Sequence, residues 1–339
     1  MNDSSALIDT NQKVAVIDLA HLRHPDPAVR RLLGKEIAKI CEEIGFFQIV
    51  NHGVDKAQIA RMFELGNSFF ALPLEDKLAM SMANSRDYRG YLPMKMIGRD
   101  QQMKGNLLES FHVWHERTVD DPDVMAAKPL HSPNLWPSAL PGMREETLAY
   151  TQTVTHLACD MIRIIALGLD LPEDTFLRWF DRPISLLRFL HYPPQDAMSD
   201  AERFGTRPHT DNGVFTLLAQ DDTGGLEIMD RDGTWIPVPP VADSFVINLG
   251  EMMKVWSNGR FLATPHRVIN RFGKERYSLP FFLNPSFDTV ITPILDTRAA
   301  SVAPAFHTTV DPDAHDTCGD ILLRLYKRIW PSSDGQQTV

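Results

Sequence analysis

The sequence predicts a mixed α/β fold whose second half is rich in β-structure. Two observations support this prediction. The first half shows helical periodicity, and the chain beyond Pro183 consists of short runs rich in Val, Ile, Leu and Phe that turn residues separate. Many short strands at such spacing favour a β-sandwich or a jelly-roll barrel. The 339 residues, of which 43% are hydrophobic, suffice for one large core or two modest ones.

The first half carries helix and strand signals in a clear order. Apolar residues at three-to-four-residue steps indicate amphipathic helices, and glycine or proline marks their ends. Short apolar runs followed by turn residues indicate buried strands. These signals predict a strand over 14–19, a helix from Pro27 that ends before Gly45, a strand over Phe46–Val50, a helix over 57–71, an irregular loop over 81–105, and a long helix over 143–167 that ends at Gly168.

The second half alternates short apolar runs with turn signals. The turns are Thr-Gly-Gly at 223–225, Arg-Asp-Gly at 231–233 and Ser-Asn-Gly at 257–259. The final apolar residues recur at four-residue steps before Pro331, which predicts a helix. The predicted elements are strands over 186–190, 214–218, 226–229, 245–249 and 277–283 and a helix over 320–330.

Charge and cysteine content exclude several classes of protein. A net charge of −10 provides no general attraction to nucleic acid or to anionic membranes. The three cysteines, Cys41, Cys159 and Cys318, lack C-x-x-C spacing, which argues against a disulfide framework or a thiolate zinc site. The sequence shows neither a secretory signal nor a membrane-spanning stretch. We therefore expect a cytoplasmic protein with no nucleic-acid or membrane partner.

Two H-x-[DE] motifs raise the question of a metal site, although roughly that many arise by chance among twelve histidines. In His24-Pro25-Asp26 the carboxylate is explained as the N-cap of the first helix. In His209-Thr210-Asp211 the two side chains can share one face of a strand. With the distant His266 they supply two imidazoles and one carboxylate, the ligand set of mononuclear non-haem iron. The alternative for His266 is a hydrogen-bonded core histidine.

Ten residues after His266 the chain reads Arg276-Tyr277-Ser278. On a strand, the guanidinium and the hydroxyl would lie on the same face. Together they could bind a carboxylate, the arginine through a charge-assisted and bidentate pair. An isolated R-x-S is common on solvated surfaces, so this interpretation depends on the neighbouring iron site.

A rival metal cluster is Glu109-x-x-His112-x-x-His115-Glu116. Helices with E-x-x-H spacing build di-iron sites in bundles, but two copies are needed and the chain has one. If 111–114 is a strand, the two histidines face opposite sides. The absence of G-x-G-x-x-G, P-loop and G-x-S-x-G motifs gives no support to nucleotide-binding or serine-hydrolase functions.

Stretches throughout the chain resemble the isopenicillin N synthase-like branch of the Fe(II)- and 2-oxoglutarate-dependent dioxygenases. The resemblance covers most of the sequence and follows the order of the family. It rests on VIDL at 16–19, CEEIGFFQIVNHG at 41–53, FFALP at 69–73, HYPP at 191–194, HTD at 209–211, GGL at 224–226, SNGR at 257–260 and HRV at 266–268.

The resemblance implies a double-stranded β-helix, or jelly roll, flanked by helices. Residues 1–180 would form the N-terminal helical and strand region, 181–290 the oxygenase core, and 291–339 a C-terminal segment and helix packed on that core. A monomer is the usual state of this branch.

The resemblance also implies roles for individual residues. The iron ligands would be His209, Asp211 and His266. The distal carboxylate of 2-oxoglutarate would be bound by Arg276 and Ser278, and Tyr192 would reach the same co-substrate. The sequence departs from the family's N-Y-Y-P-P pattern, since Leu190 and His191 replace the Asn and the first Tyr.

The implied reaction uses dioxygen, converts 2-oxoglutarate to succinate and CO₂, and oxidises a C–H bond of a small organic molecule, as in secondary metabolism. Hydroxylation, desaturation and cyclisation are all open outcomes. One alternative is a keto-acid-independent iron oxidase of the isopenicillin N synthase type. Another is a non-catalytic binding protein on a jelly-roll scaffold. The residues expected to line the substrate pocket are Tyr91, Met94, Phe111, His191, Phe281 and Phe282.

Overall fold

The computed structural model describes the backbone of residues 7–9 and all of 13–94, 106–195, 204–296 and 310–329. No helix in these ranges combines the length and hydrophobicity needed to cross a membrane. The cysteines at 41, 159 and 318 are free thiols. The helices are α1 (Pro27–Glu43), α2 (Lys56–Phe70), α3 (Leu74–Ala79), α4 (Pro122–Met125), α5 (Met143–Gly168), α6 (Glu251–Trp256) and α7 (Cys318–Ile329).

Thirteen strands make up the β-structure of the described residues. They are β1 (Leu7–Asp9), β2 (Val16–Asp18), β3 (Phe46–Val50), β4 (Gly90–Leu92), β5 (Glu109–Trp114), β6 (Pro183–Tyr192), β7 (Thr206–His209), β8 (Phe215–Gln220), β9 (Leu226–Met229), β10 (Trp235–Pro237), β11 (Phe245–Leu249), β12 (His266–Val268) and β13 (Arg276–Ser286).

The strands form two sheets. The larger has nine strands in the order β1-β2-β3-β11-β8-β13-β6-β5-β4, and the smaller has four in the order β10-β9-β12-β7. The pair β2 and β3 is parallel, and the other pairs are antiparallel. Strands from both halves of the chain therefore belong to one continuous large sheet.

The inner faces of the two sheets pack against each other. A small apolar cluster joins them, with Phe46, Tyr192 and Val246 from the large sheet and Ile228 and Val268 from the small sheet. A much larger cluster fills the opposite side of the large sheet, beneath α1, α2 and α5. The architecture is thus a helical layer, a large sheet and a small sheet, with a cavity between the sheets.

The first helix begins where the sequence predicts. Asp26 is its N-cap, and its carboxylate accepts a hydrogen bond from the backbone N–H of Ala28 at 2.9 Å. The imidazole of His24 accepts from the N–H of Asp26 at 3.1 Å. Local capping thus accounts for the His24-Pro25-Asp26 motif. At the other end of α1, Gly45 has a φ of +68°, which suits a glycine that ends a helix.

Gly168 ends the long helix where the sequence predicts. It is the last residue of α5, and the C-cap is Leu169, whose N–H bonds to the carbonyl of Ile165 at 3.1 Å. A Cβ on Gly168 would lie 2.3 Å from the carbonyl oxygen of Gly34 in α1. The glycine allows two helix backbones to approach closely, and it does not adopt the left-handed conformation of a glycine cap.

Gly34→Ala tests this close contact. The new Cβ would lie 2.5 Å from the carbonyl oxygen of Ile164 and 2.8 Å from the backbone nitrogen of Gly168. Alanine normally stabilises a helix by about 1 kcal/mol relative to glycine, but overpacking against backbone costs about 1–3 kcal/mol. We expect a net loss in the free energy of unfolding, measured by urea denaturation. Lys39→Ala on the exposed side of α1 should change it by less than about 0.5 kcal/mol. A gain in stability for Gly34→Ala would contradict the packing.

Candidate metal centre and co-substrate site

A cavity of about 440 Å³ lies between the two sheets. Its walls combine polar and apolar side chains, and small-molecule sites likewise place polar groups among apolar walls. The apolar lining consists of Phe46, Leu92, Pro93, Leu108, Leu190, Leu218, Leu226, Val268, Pro280, Phe282 and Ile329. The polar lining consists of Asn106, Ser110, His112, Arg188, Tyr192, Thr206, Arg207, His209, Asp211, Thr216, Asn248, His266, Arg276 and Ser278.

The residues of the predicted iron triad meet at this cavity. His209 ends β7 and His266 begins β12, and the two are direct partners in the antiparallel register. Asp211 follows two residues after His209. Its Oδ1 lies 3.8 Å from the Nε2 atom of each histidine. The three ligand atoms all lie within 4.8 Å of one another, which suits coordination of a single metal ion.

Two hydrogen bonds orient the carboxylate of Asp211. Thr216 Oγ1 donates to Oδ2 at 2.8 Å, and Asn248 Nδ2 donates to the same oxygen at 2.7 Å. Oδ1 is therefore the oxygen that faces the two imidazoles. Thr216 on β8 and Asn248 on β11 are themselves paired across the strands, so the large sheet determines the position of this carboxylate.

Backbone carbonyls orient both imidazoles. His209 Nδ1 lies 2.8 Å from the carbonyl oxygen of Arg207, and His266 Nδ1 lies 3.1 Å from that of Thr264. A carbonyl only accepts, so the hydrogen bonds assign the proton to Nδ1 of each ring. Each Nε2 then offers a lone pair toward Asp211, which is the form a metal ligand requires.

The protonation states also suit metal binding. Burial, followed by the neighbouring His266, lowers the pKa of His209 to about 4. Burial by itself raises the pKa of Asp211, but attraction to the two histidines and the hydrogen bonds from Asn248 and Thr216 outweigh it, so the net shift is downward. At neutral pH, His209 is thus neutral and Asp211 ionised, so neither needs to release a proton before binding a metal.

Arg276 and Ser278 lie in the same cavity, on β13. The Arg276 side chain is fully buried, and its guanidinium lies 4.8 Å from the centre of the Tyr192 ring. Its nitrogens donate to Ser278 Oγ at 3.2 Å, to the Gly224 carbonyl at 2.6 Å and to Gln220 Oε1 at 3.4 Å. These three partners are neutral. A buried cation with neutral partners at a cavity wall suits an anionic ligand such as a carboxylate.

Strand alternation separates the residues predicted to line the substrate pocket. Phe282 lines the cavity, whereas Phe281 is its neighbour on β13 and points into the large core on the other face. Likewise His191 lies on the opposite face from Tyr192 and bonds to Glu109 through Nδ1 at 2.8 Å. Among the described lining residues, the remaining three predicted pocket residues are absent. Tyr91 and Phe111 lie in the large core, and Met94 is half-buried outside the described lining.

The rival cluster around Glu109 does not form one site. Residues Glu109–Trp114 are a strand, so His112 and His115 lie on opposite faces, as predicted. The Glu109 carboxylate accepts hydrogen bonds from Lys77 at 3.0 Å and from Tyr91 at 2.5 Å. Within the described ranges, the His209, Asp211 and His266 set is the one group whose ligand atoms are close enough to share a metal.

Two family models match the chain. The 2OG-Fe(II) oxygenase superfamily model matches residues 183–285, and the model described as non-haem dioxygenase in morphine synthesis N-terminal matches residues 14–139. The chain is 34% identical over 280 residues to the 2-oxoglutarate-Fe(II) type oxidoreductase hxnY of Emericella nidulans, which covers 81% of this chain and 80% of the relative.

The chain is also similar to a second curated relative and to a solved structure. It is 30% identical over 316 residues to a 1-aminocyclopropane-1-carboxylate oxidase of Dictyostelium mucoroides, with coverage of 82% and 83%. The solved structure of a full-length Neurospora crassa protein in complex with alpha-KG and 5-formyluracil is similar at a TM-score of 0.76 and 25% identity, covering 96% of this chain and 99% of that one.

These similarities confirm the predicted jelly roll and the predicted cofactors, which are Fe(II), 2-oxoglutarate and dioxygen. The described geometry also fits them, because one cavity offers a three-ligand metal group and a buried guanidinium. The chain belongs to the 2OG-Fe(II) oxygenase superfamily, in its isopenicillin N synthase-like branch, and is a 2-oxoglutarate-dependent dioxygenase.

Proposed function

We propose that His209, Asp211 and His266 hold the Fe(II) of this dioxygenase and that Arg276 with Ser278 binds the distal carboxylate of 2-oxoglutarate. The observation that carries the proposal is that one cavity is lined by all five side chains. Bound iron, with dioxygen and the keto acid, supplies the oxidation of a substrate C–H bond, and succinate and CO₂ are released.

The protein contributes position and exclusion of water. Thr216 and Asn248 fix the carboxylate of Asp211, so that the ligand geometry exists before the metal binds. The apolar walls, including Leu218 and Val268, keep bulk water away from the reacting groups. The cavity walls and the fixed ligand positions therefore determine which C–H bond of the substrate lies next to the metal.

On the co-substrate side, the keto acid would lie along β13. Arg276 provides a fork of donors for its distal carboxylate, and Ser278, two residues along the strand, adds one more donor. Tyr192 supports the guanidinium through its ring, and its hydroxyl lies 3.2 Å from Thr206 Oγ1. The departures at Leu190 and His191 leave this contact in place, because Tyr192 is retained.

The substrate is a small organic molecule, which we place in the part of the cavity beside Phe282, Leu92 and Ile329. The first reaction we propose is hydroxylation, with desaturation or cyclisation as outcomes that depend on the substrate. Of the six residues predicted to line this pocket, Phe282 is the one we retain.

We further propose a cytoplasmic monomer that has no nucleic-acid or membrane partner. The net charge of −10 and the three free thiols support this. For the organisation of the chain we propose an N-terminal region over 1–180, an oxygenase core over 181–290 and a C-terminal segment over 291–339. The last segment contributes α7, whose Ile329 reaches the cavity wall.

Metal binding tests the triad. We expect His209→Ala to abolish stoichiometric Fe(II) binding in anaerobic dialysis followed by an iron assay, because one of three ligands is lost. Thr216→Val keeps the side-chain shape and removes one of the two donors to Asp211 Oδ2. It should weaken Fe(II) binding roughly 10–100-fold.

A matched control uses another histidine. His156 is exposed on α5, so His156→Ala should bind iron like the unmodified protein. Thermal unfolding of each metal-free variant would separate a ligand loss from a folding defect. Full iron occupancy in folded His209→Ala would refute the assignment.

Co-substrate binding tests Arg276 without knowledge of the substrate. Calorimetric titration of 2-oxoglutarate into Mn(II)-loaded protein under nitrogen should show an affinity at least roughly tenfold lower for Arg276→Gln, because a charge-assisted hydrogen bond is lost. Arg276→Lys should be intermediate, since it keeps the charge but not the fork. Arg178→Gln, a change of the same type at an exposed site, should bind normally. Normal affinity in Arg276→Gln would remove Arg276 from the co-substrate site.

A further inference from the structure

Arg188 is a cation in the active-site cavity to which neither iron nor 2-oxoglutarate assigns a role. It lies on β6 and lines the cavity on the same face as Leu190 and Tyr192. Tyr192 pairs with Arg276 in the register of β6 and β13. Arg188 is four residues before Tyr192, so it lies about 13 Å along the strand from the co-substrate end.

Two contacts of Arg188 keep its guanidinium at the cavity wall. Nη2 donates to the hydroxyl of Tyr326 on α7 at 3.4 Å, and the guanidinium carbon lies 5.1 Å from the centre of the Phe282 ring. On the neighbouring strand its register partner is His112, whose Nε2 lies 3.0 Å from Ser110 Oγ. The guanidinium is thus framed by an aromatic ring, a hydroxyl and a polar strand edge that also lines the cavity.

Arg188 also lies where two cavities meet. A second cavity of about 280 Å³ lies between the loop after β7 and α7, and it shares Arg188, His209, Asp211, Phe282 and Ile329 with the main cavity. Both cavities reach the proposed iron ligands. Arg188 therefore lines each cavity together with two of the proposed metal ligands.

The charges that line the two cavities are unlike those of the chain as a whole. The net charge of the sequence is −10, yet the described lining includes four arginines, at 188, 207, 276 and 328, and one carboxylate, Asp211. We have assigned that carboxylate to the metal. A cationic cleft in an acidic protein attracts anions selectively. Arg276 is proposed to bind the anionic co-substrate, and the position of Arg188 in the same cavity suits it to bind a second anion.

We propose that Arg188 binds a carboxylate of the organic substrate, and hence that the enzyme oxidises small, largely apolar carboxylic acids. A guanidinium pairs with a carboxylate through two parallel hydrogen bonds, which fixes orientation as well as position. The inference rests on the proposed function, because it takes the metal to lie at Asp211.

The sheet also sets the distance over which such a substrate would extend. Asp211 is held by Thr216 on β8, and β13 lies between β8 and β6. Two strand spacings separate β6 from β8, or about 10 Å. A carboxylate at Arg188 would therefore direct an apolar body across Pro280 and Phe282 toward the metal ligands.

Matched pairs of neutral and charged probes test the proposal. Octanoate, 3-phenylpropanoate and 4-phenylbutanoate would each be compared with the corresponding primary amide. Binding would be measured by calorimetry under nitrogen to protein loaded with Mn(II) and saturated with 2-oxoglutarate, so that no turnover occurs. We expect at least one acid to bind tenfold or more tightly than its amide, because only the acid completes a charge-assisted pair.

The variants at Arg188 then locate the effect. Arg188→Gln should lose at least tenfold in affinity for that acid, while its affinities for the amide and for 2-oxoglutarate stay within twofold of the unmodified protein. Arg188→Lys should recover part of the preference for the acid, because the charge remains. Arg178→Gln removes an exposed arginine and should bind every probe normally.

Several results would overturn the inference: no acid binds, acids and amides bind equally, or Arg188→Gln keeps the preference for the acid. If Arg188→Gln fails to fold, the comparison of acid with amide in the unmodified protein and in Arg188→Lys still decides. Failure of the unmodified protein to bind Mn(II) or 2-oxoglutarate would instead count against the proposed function.

Discussion

The buried carboxylate of Asp211 is the constraint on which the rest of the site depends. One of its oxygens accepts two hydrogen bonds from the large sheet, and the other faces two imidazoles carried by the small sheet. Burying an ionised carboxylate is unfavourable unless its oxygens are satisfied. The fold satisfies one oxygen with Thr216 and Asn248 and leaves the other beside the two imidazoles, which is the arrangement that the proposed metal site requires.

The same two-sheet arrangement places charges at different positions in the cavity. Arg276 is buried at one end, beside Tyr192, and Arg188 lies farther along β6 on the same face. The proposed iron ligands lie on β7, on β12 and in the loop after β7. Because adjacent strands fix these positions, the cavity can hold a co-substrate and a substrate on different sides of one metal ion. Apolar side chains also line the cavity. They lower the local dielectric constant, which strengthens the attraction between each arginine and a bound carboxylate.

Much of this arrangement could be predicted from local sequence. Strands β3, β9 and β11 were predicted with their observed limits, because each is a short apolar run bounded by turn residues. Asp26 was recognised as a helix cap from its position alone. His266 was a candidate third ligand from its residue type, but the family resemblance assigned it that role, since 56 residues separate it from His209 and no local pattern links them.

What the sequence did not reveal depends on register. Asn248 lies in an apolar strand and shows no local sign of its role, which arises because it pairs with Thr216 on β8. The pocket prediction placed the neighbours Phe281 and Phe282 together, although adjacent strand residues face opposite sides. Gly168 ends α5 as predicted, but no local pattern indicates its close contact with Gly34, more than a hundred residues away. Each of these roles is set by a distant partner.

The central claim is that one cavity holds Fe(II) and 2-oxoglutarate in direct contact. The most direct measurement is an anaerobic titration of 2-oxoglutarate into Fe(II)-loaded protein, followed by visible absorption, since chelation of the keto acid by iron gives a weak charge-transfer band. The account predicts a band that saturates at one 2-oxoglutarate per chain. Absence of the band in protein shown to contain iron would contradict it, and would favour an oxidase that does not use the keto acid.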